Sequence, residues 1–149
     1  MILGRICVQK IIEFVSKIGI IGQESYNNTS AIGKVFNLIK KSYGHYVTIA
    51  TGGSDIGAEN IAKKWALELG MDYVEYNPSY TGKRIYSALP DLYYGKKYHI
   101  SHLTDRYKQL VKDCDYIILF QNTKTELAFE LNYALNFAKK LKKKLLIID

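Results

Sequence analysis

The stretch TIATGGSDIGAEN, residues 48–60, sets Gly52, Gly53 and Gly57 between an apolar run and a helical pattern. Glycine lets the backbone approach a ligand closely, and the start of a helix aims free N–H groups at negative charge. A phosphate is the group such a turn would hold. The spacing fits neither G-x-G-x-x-G nor the Walker sequence ending in Gly-Lys-Ser/Thr. The same residues also suit a plain strand-to-helix turn capped by Ser54 or Asp55. Other chemistry-bearing types are sparse. His99 and His102 are three apart but lack a third ligand, and read as surface histidines. Cys7 and Cys114 are distant in sequence and outside any metal-ligand spacing, so neither a disulfide framework nor a metal site is expected. A reducing cytoplasm fits this usage.

The 149 residues have the length of one domain, residues 1–149, and 48% of them are hydrophobic, enough for a continuous core. Lys and Arg outnumber Asp and Glu by 21 to 14, a net charge of +7 that favours an anionic partner. Much of the excess lies in KKLKKK, residues 139–144, which suits a solvated helix end or a nucleic-acid patch. Residues 77–98 hold both prolines, two glycines and five tyrosines, and read as a long connection. Lys83, Arg84, Lys96 and Lys97 alternate there with tyrosines, a composition able to hold phosphate and stack bases, or to cover a sheet edge. The apolar opening, MILGRICVQKIIEFVSKIGII, is broken by Arg5, Lys10, Glu13 and Lys17. It suits neither a membrane span nor a signal peptide.

Positioning these groups falls to short apolar runs at 18–21, 46–50, 73–76, 116–120 and 145–148, each read as a strand buried on both faces. Between them, apolar residues recur at helical spacing: Ile32, Val35, Phe36 and Ile39; Ala58, Ile61, Ala62, Trp65, Ala66 and Leu69; Tyr107, Leu110, Val111 and Cys114; Leu127, Leu131, Ala134, Ala138 and Leu141. Strand alternating with helix predicts a Rossmann-like α/β three-layer sandwich with a mostly parallel sheet of about five strands or more. Ligands of such sheets bind beyond the carboxyl ends of the strands, where the glycine turn lies.

ATGGSDIGAENIAKKWALELGMDYVEY resembles the signature of the SLOG superfamily, which includes the Lonely Guy phosphoribohydrolases and the DNA-processing protein A domain. Thr51, Gly52, Gly53, Gly57, Ala62, Ala66 and Gly70 occupy its loop and helix positions, and Glu59 stands where many relatives have Asp. Gly22 and Gln23 fall where relatives place a nucleotide-contacting Gly-Ser. In DRYKQLVKDCDYIILFQNTKTELAFELNYA, Arg106 matches the family arginine, Asp115 the acidic residue before the strand, Thr123 the threonine and Glu126 the glutamate. The family's Pro-Gly-Gly is missing, and Asn122 replaces the glycine before the threonine. Asn122 and Thr123 retain the ability to donate hydrogen bonds and cap a helix.

The resemblance implies hydrolysis of the N-glycosidic bond of a nucleoside monophosphate, releasing base and ribose phosphate. A carboxylate, Glu126, would stabilise the sugar cation, act as nucleophile or activate water. Arg106 would hold that carboxylate or the substrate phosphate through its fork of donors. Glu130, four residues after Glu126 on the same helical face, sits in a FELNYA segment similar to the nucleophile segment of nucleoside deoxyribosyltransferases, and is the second catalytic candidate. Gly22, Gln23, Thr51, Gly52, Gly53, Gly57, Asn122 and Thr123 are the nucleotide- and phosphate-binding candidates. Neither metal nor cofactor is expected. Two other readings stand beside the hydrolase: a nucleotide or signalling-nucleotide sensor without turnover, and a single-stranded DNA-binding protein. The partners expected are a nucleotide or nucleotide-derived small molecule, single-stranded nucleic acid under the third reading, and further copies of the chain; no membrane is expected.

Overall fold

The computed structural model describes residues 16–44, 46–78 and 100–149. Most of the 77–98 connection, with its four basic residues, therefore lies outside the described residues, as do His99 and Cys7. In chain order the elements are β1 (Lys17–Gly22), α1 (Thr29–Tyr43), β2 (Thr48–Thr51), α2 (Ala58–Glu68), β3 (Asp72–Glu75), α3 (Ile100–Asp113), β4 (Tyr116–Phe120), α4 (Phe129–Lys140) and β5 (Lys144–Ile148). The strands form one sheet of order β3-β2-β1-β4-β5, and every pairing is parallel.

Side chains alternate across each strand, so the sheet divides the core in two. Ile18 and Ile20 of β1 and Ile118 and Phe120 of β4 pack with Phe36 and Ile39 of α1 and Ala62 and Ala66 of α2. On the opposite face, Ile21, Ile117 and Leu119 meet Leu110 and Val111 of α3 and Leu131, Ala134 and Ala138 of α4. The result is an α/β Rossmann-like arrangement with helices on both sides. β1, β2 and β4 are buried, but β3 and β5 are largely half-exposed. Equal burial of all five strands therefore does not hold, because an edge strand lacks a neighbour and is flanked by fewer helices. Cys114 closes α3 inside the second core layer, and burial pushes its thiol up to about 12, which leaves it inert as a nucleophile at neutral pH.

Entry to the central strand is fixed electrostatically. Asp115 Oδ2 accepts from the Ser16 amide (2.8 Å), the Ser16 hydroxyl (2.9 Å) and the Lys17 amide (3.1 Å), joining the start of β1 to the start of β4. Burial would raise the Asp115 pKa, but these hydrogen bonds from Ser16 and Lys17 outweigh it and hold the carboxyl below its ordinary value. A lowered folded-state pKa gives stability that is present above the unfolded value and lost as pH falls through the folded one. Asp115→Asn is expected to lower unfolding free energy by about 1–2 kcal/mol at pH 7. In urea titrations the difference from wild type should narrow below the ordinary carboxylate range; an undiminished difference at acid pH would contradict this account.

Candidate functional site

Running outward from β1, the chain turns to one side to make β2 and β3, and returns on the other to make β4 and β5. The carboxyl ends of β1 and β4 therefore diverge into different loops, and a crevice opens at this switch point. It is a cleft of about 310 Å³, at the lower end of the range typical of small-molecule sites. Gly22 and Gln23 border it from β1, Arg106 and Tyr107 from α3, and Glu126 and Glu130 from the segment after β4.

Gln23 holds this region together. Its side-chain amide donates to Thr125 Oγ1 (3.2 Å) and to the Glu126 carbonyl (3.0 Å), while its Oε1 accepts from the Asn122 amide. Its own carbonyl accepts from the Tyr26 amide (3.1 Å) and from the Ala58 amide at the start of α2 (3.2 Å). Only 5% exposed, Gln23 thus ties the loops after β1 and β4 to the second helix, and its amide is occupied by protein partners.

The glycine turn is shaped by what packs against it. Gly57, at φ 79°, is the N-cap of α2, and a β-carbon there would meet the Glu24 backbone and the Gln23 carbonyl. Neither Ser54 nor Asp55 caps the helix; Ser54 Oγ instead donates to the Ile56 carbonyl (3.1 Å). Where a side chain on Gly52 would lie, the Glu59 carboxyl and the Tyr107 ring take the space: a β-carbon would come within 2.6 Å of Glu59 Oε1. The Gly52 carbonyl accepts from Arg106 Nη1 (2.8 Å), and the Arg106 guanidinium lies 4.7 Å from the Tyr107 ring centroid.

Glu59 itself is 1% exposed, although it sits in the first turn of α2, where negative charge is favoured. Tyr107 Oη donates to Glu59 Oε2 at 2.5 Å, and the Ser54 and Gly22 backbone amides also bond to the carboxyl. Burial raises the Glu59 pKa, opposed by the Tyr107 hydrogen bond, the Arg106 charge and hydrogen bonds from the Ser54 and Gly22 backbone. Burial and the Glu59 charge push the Tyr107 phenol well up, so it remains a donor.

Thr51 is buried below the cleft, its hydroxyl 2.7 Å from Tyr73 Oη and accepting from the Gly53 amide (3.2 Å). Gly53 borders a neighbouring hollow, shared with Asn77 and Leu103, rather than the cleft. Asn122 makes its own turn: its Oδ1 accepts from the Lys124 amide (3.1 Å), its carbonyl from the Thr125 amide (3.1 Å). Thr123 donates from amide and hydroxyl to Asp149, at 3.2 and 3.3 Å. Neither caps α4, whose N-cap is Ala128 without a side-chain bond. Because Gln23 and the Asn122 turn hold residues 122–126 outside the helix, Glu126 precedes α4 and does not share a helical face with Glu130. Glu126 is exposed on the rim; Glu130 is half-buried in the first turn of α4.

Among the described residues, no group of three His, Cys, Asp or Glu side chains could hold a metal ion, and no helix is long and apolar enough to cross a membrane. Lys139 and Lys140 fall in the last turn of α4 and Lys144 opens β5, at the end of the strands opposite the cleft. Sequence reasoning did not select Tyr107, whose spacing matched the core stripe of α3, or Glu59 as a site residue. A signal existed for the second, since an acidic residue one position into a helix that buries Ala58 and Ala62 interrupts an apolar face.

Residues 17–81 match the family model described as YAcAr: YspA, cpYpsA-related SLOG family. No curated protein sequence matches the chain. Among solved structures, the fold is similar to the molybdenum cofactor binding protein of the phototrophic bacterium Rippkaea orientalis, at TM-score 0.62 and 16% identity over 91% of this chain and 77% of that one. It is likewise similar to the molybdenum cofactor carrier protein of Chlamydomonas reinhardtii (TM-score 0.55, 15% identity, 90% and 76% covered). A third similar structure is DNA processing protein A of Helicobacter pylori, described for its single-stranded DNA binding mode (TM-score 0.62, 16% identity, 93% and 67% covered).

The buried pair at the floor of the cleft is directly testable. Tyr107→Phe removes the donor to Glu59 Oε2 and should destabilise the protein by about 1–3 kcal/mol. A raised carboxyl pKa means stability present at low pH and lost as pH rises through the folded value, and removing the donor raises that pKa further. The cost in denaturant melts should accordingly be larger at pH 8 than at pH 4; a pH-independent cost would argue against an ionising Glu59.

Proposed function

From the SLOG-family segment at residues 17–81, carried on a five-stranded Rossmann-like fold, we propose that this chain binds a nucleotide or nucleotide-derived small molecule in the cleft between β1 and β4, and hydrolyses its N-glycosidic bond. The observation that carries the reading is the meeting of Arg106, Glu126 and Glu130 at one cleft of small-molecule size on the switch point of the sheet. Cleavage of an N-glycosidic bond develops positive charge on the sugar, and a carboxylate fixed beside it stabilises that charge or takes a proton from water. Glu130 is the better placed of the two for charge stabilisation, because partial burial weakens solvent screening; Glu126, on the rim, is the alternative base.

A specific observation also favours binding without turnover. Gln23 donates to the β4 loop and Thr123 to Asp149, so two side chains suited to holding substrate are engaged with the protein itself, whereas Arg106 gives one donor to the Gly52 carbonyl and keeps a buried Nε without a partner. Two of the similar structures are proteins of the molybdenum cofactor, and binding alone would suffice for a role of that kind. Single-stranded DNA, as in the third, receives less support from the described residues, because the Lys139–Lys144 run lies at the opposite end of the strands from the cleft.

Incubation with a panel of nucleosides and nucleoside monophosphates, followed by chromatography, should show release of free base, reduced at least tenfold by Glu130→Ala or Glu126→Ala. No base released from any of them would end the hydrolase reading. Thermal melts with the same panel separate binding from turnover. A ligand at about 100 times its Kd adds about 2.7 kcal/mol, or roughly 5–10 °C for a chain of this size. A shift without base release would establish the sensor reading, and no shift with any member would reject both. Tight binding of an oligonucleotide that weakens steeply with salt would favour the DNA reading instead.

A further inference from the structure

Ile56, in the glycine turn between β2 and α2, is a large apolar side chain left 57% exposed. One such residue alone is ordinary on a protein surface, but apolar residues gathered around a concavity mark a binding site. Ile56 borders the hollow that Gly53 shares with Asn77 and Leu103, and Pro78 adds a third apolar wall. The hollow measures about 540 Å³, within the range of small-molecule sites.

Hollow and cleft adjoin, because Glu24, Ser54 and Arg106 border both. The strand order accounts for this. The cleft lies beyond the carboxyl ends of β1 and β4, the hollow beyond those of β2 and β3, and the four strands are consecutive in the sheet. Leu103 and Arg106, three apart on α3, both border the hollow, while Arg106 and Tyr107 border the cleft. Arg106 therefore stands on the boundary. It gives one donor to the Gly52 carbonyl, out of the five that a guanidinium offers. A planar fork of this kind suits a phosphate. Glu24 and Asp55, the carboxylates beside the hollow, are exposed and screened by water and salt, whereas Arg106 is half-buried.

Resting on the binding reading above, we propose that the ligand is of the dinucleotide class and spans both spaces. One nucleoside lies in the cleft beside Glu130, the phosphates that join the halves lie at Arg106, and the second base lies in the hollow against Ile56, Pro78 and Leu103. A flat base presents two apolar faces to such side chains and polar edges to a group such as the Asn77 amide. A bare phosphate tail would leave the three apolar side chains in water.

The test is calorimetric titration of the full chain with the 5′-monophosphates, the 5′-diphosphates and the symmetrical 5′,5′-dinucleoside diphosphates of adenosine, guanosine, cytidine and uridine. At least one dinucleotide should bind tenfold or more tighter than both the monophosphate and the diphosphate of its nucleoside. It carries no more negative charge than either, so the gain reports the second nucleoside. Replacing Ile56→Ser together with Leu103→Ser should remove at least fivefold of the dinucleotide's affinity and change that of the monophosphate less than twofold. Where the double variant does not fold, Ile56→Ser alone, at an exposed turn position, should cost the dinucleotide at least threefold with the same indifference of the monophosphate. Monophosphates or diphosphates binding as tightly as every dinucleotide would overturn this inference while leaving the binding reading intact, as would an equal loss for both ligands in the variants or no loss for either. Absence of binding by all twelve compounds would overturn both.

Discussion

The side-chain amide of Gln23 is the constraint on which the cleft depends. An amide has two donors and an acceptor, and here both functions are met by residues about 100 positions away: Thr125 and Glu126 through the nitrogen, Asn122 through the oxygen. Parallel neighbours such as β1 and β4 cannot be joined by a short hairpin, so their outgoing loops have no covalent reason to stay in register. Gln23 supplies one. By holding the Glu126 carbonyl outside the helix it sets where α4 begins, and with it the position of Glu130. Its backbone carbonyl does the same for α2 through the Ala58 amide, so both helix starts that face the cleft are referenced to one residue.

Beneath that clamp the structure keeps a carboxyl where burial disfavours charge. Glu59 is tolerated because Tyr107 satisfies one oxygen and Arg106 lies near, stacked on the Tyr107 ring and bonded to the Gly52 carbonyl. The arrangement is connected on every side: Gly52 gives up a side chain to Glu59 and lends its carbonyl to Arg106. A buried polar cluster of this kind specifies its geometry tightly, since each member left unpaired costs more than a surface contact returns.

Charge is also sorted along the strands. Glutamates gather where the strands end, at the cleft, while Lys139, Lys140 and Lys144 lie where α4 ends and β5 begins. A twelve-residue helix separates these poles by about 18 Å, roughly two Debye lengths at physiological salt. The net charge of +7 therefore says little about the cleft, where the described lining residues carry more carboxyl groups than cations.

Much of the fold was legible because its determinants are local. Alternating apolar runs and stripes of three-and-four spacing fix where strands and helices form, and Ile32, Val35, Phe36 and Ile39 are all buried as their period demands. The glycine turn was legible as a turn; the resemblance to the SLOG family directed attention to Arg106 and Glu126, and the deoxyribosyltransferase-like FELNYA segment to Glu130, and the fold does bring the three to one cleft. Sequence could not tell which polar residues are free to act. Thr123 and Gln23 have the composition of binding residues, yet their hydrogen-bonding groups are taken by Asp149 and by the β4 loop. Glu59 reads as an ordinary first-turn acid, yet it is sealed under Tyr107 and 1% exposed. The sequence by itself determined the elements and their α/β order, because periodicity is written along the chain. Tertiary structure alone decided the chemistry of the cleft, because the partners that occupy or spare each polar atom come from strands and helices far apart in sequence.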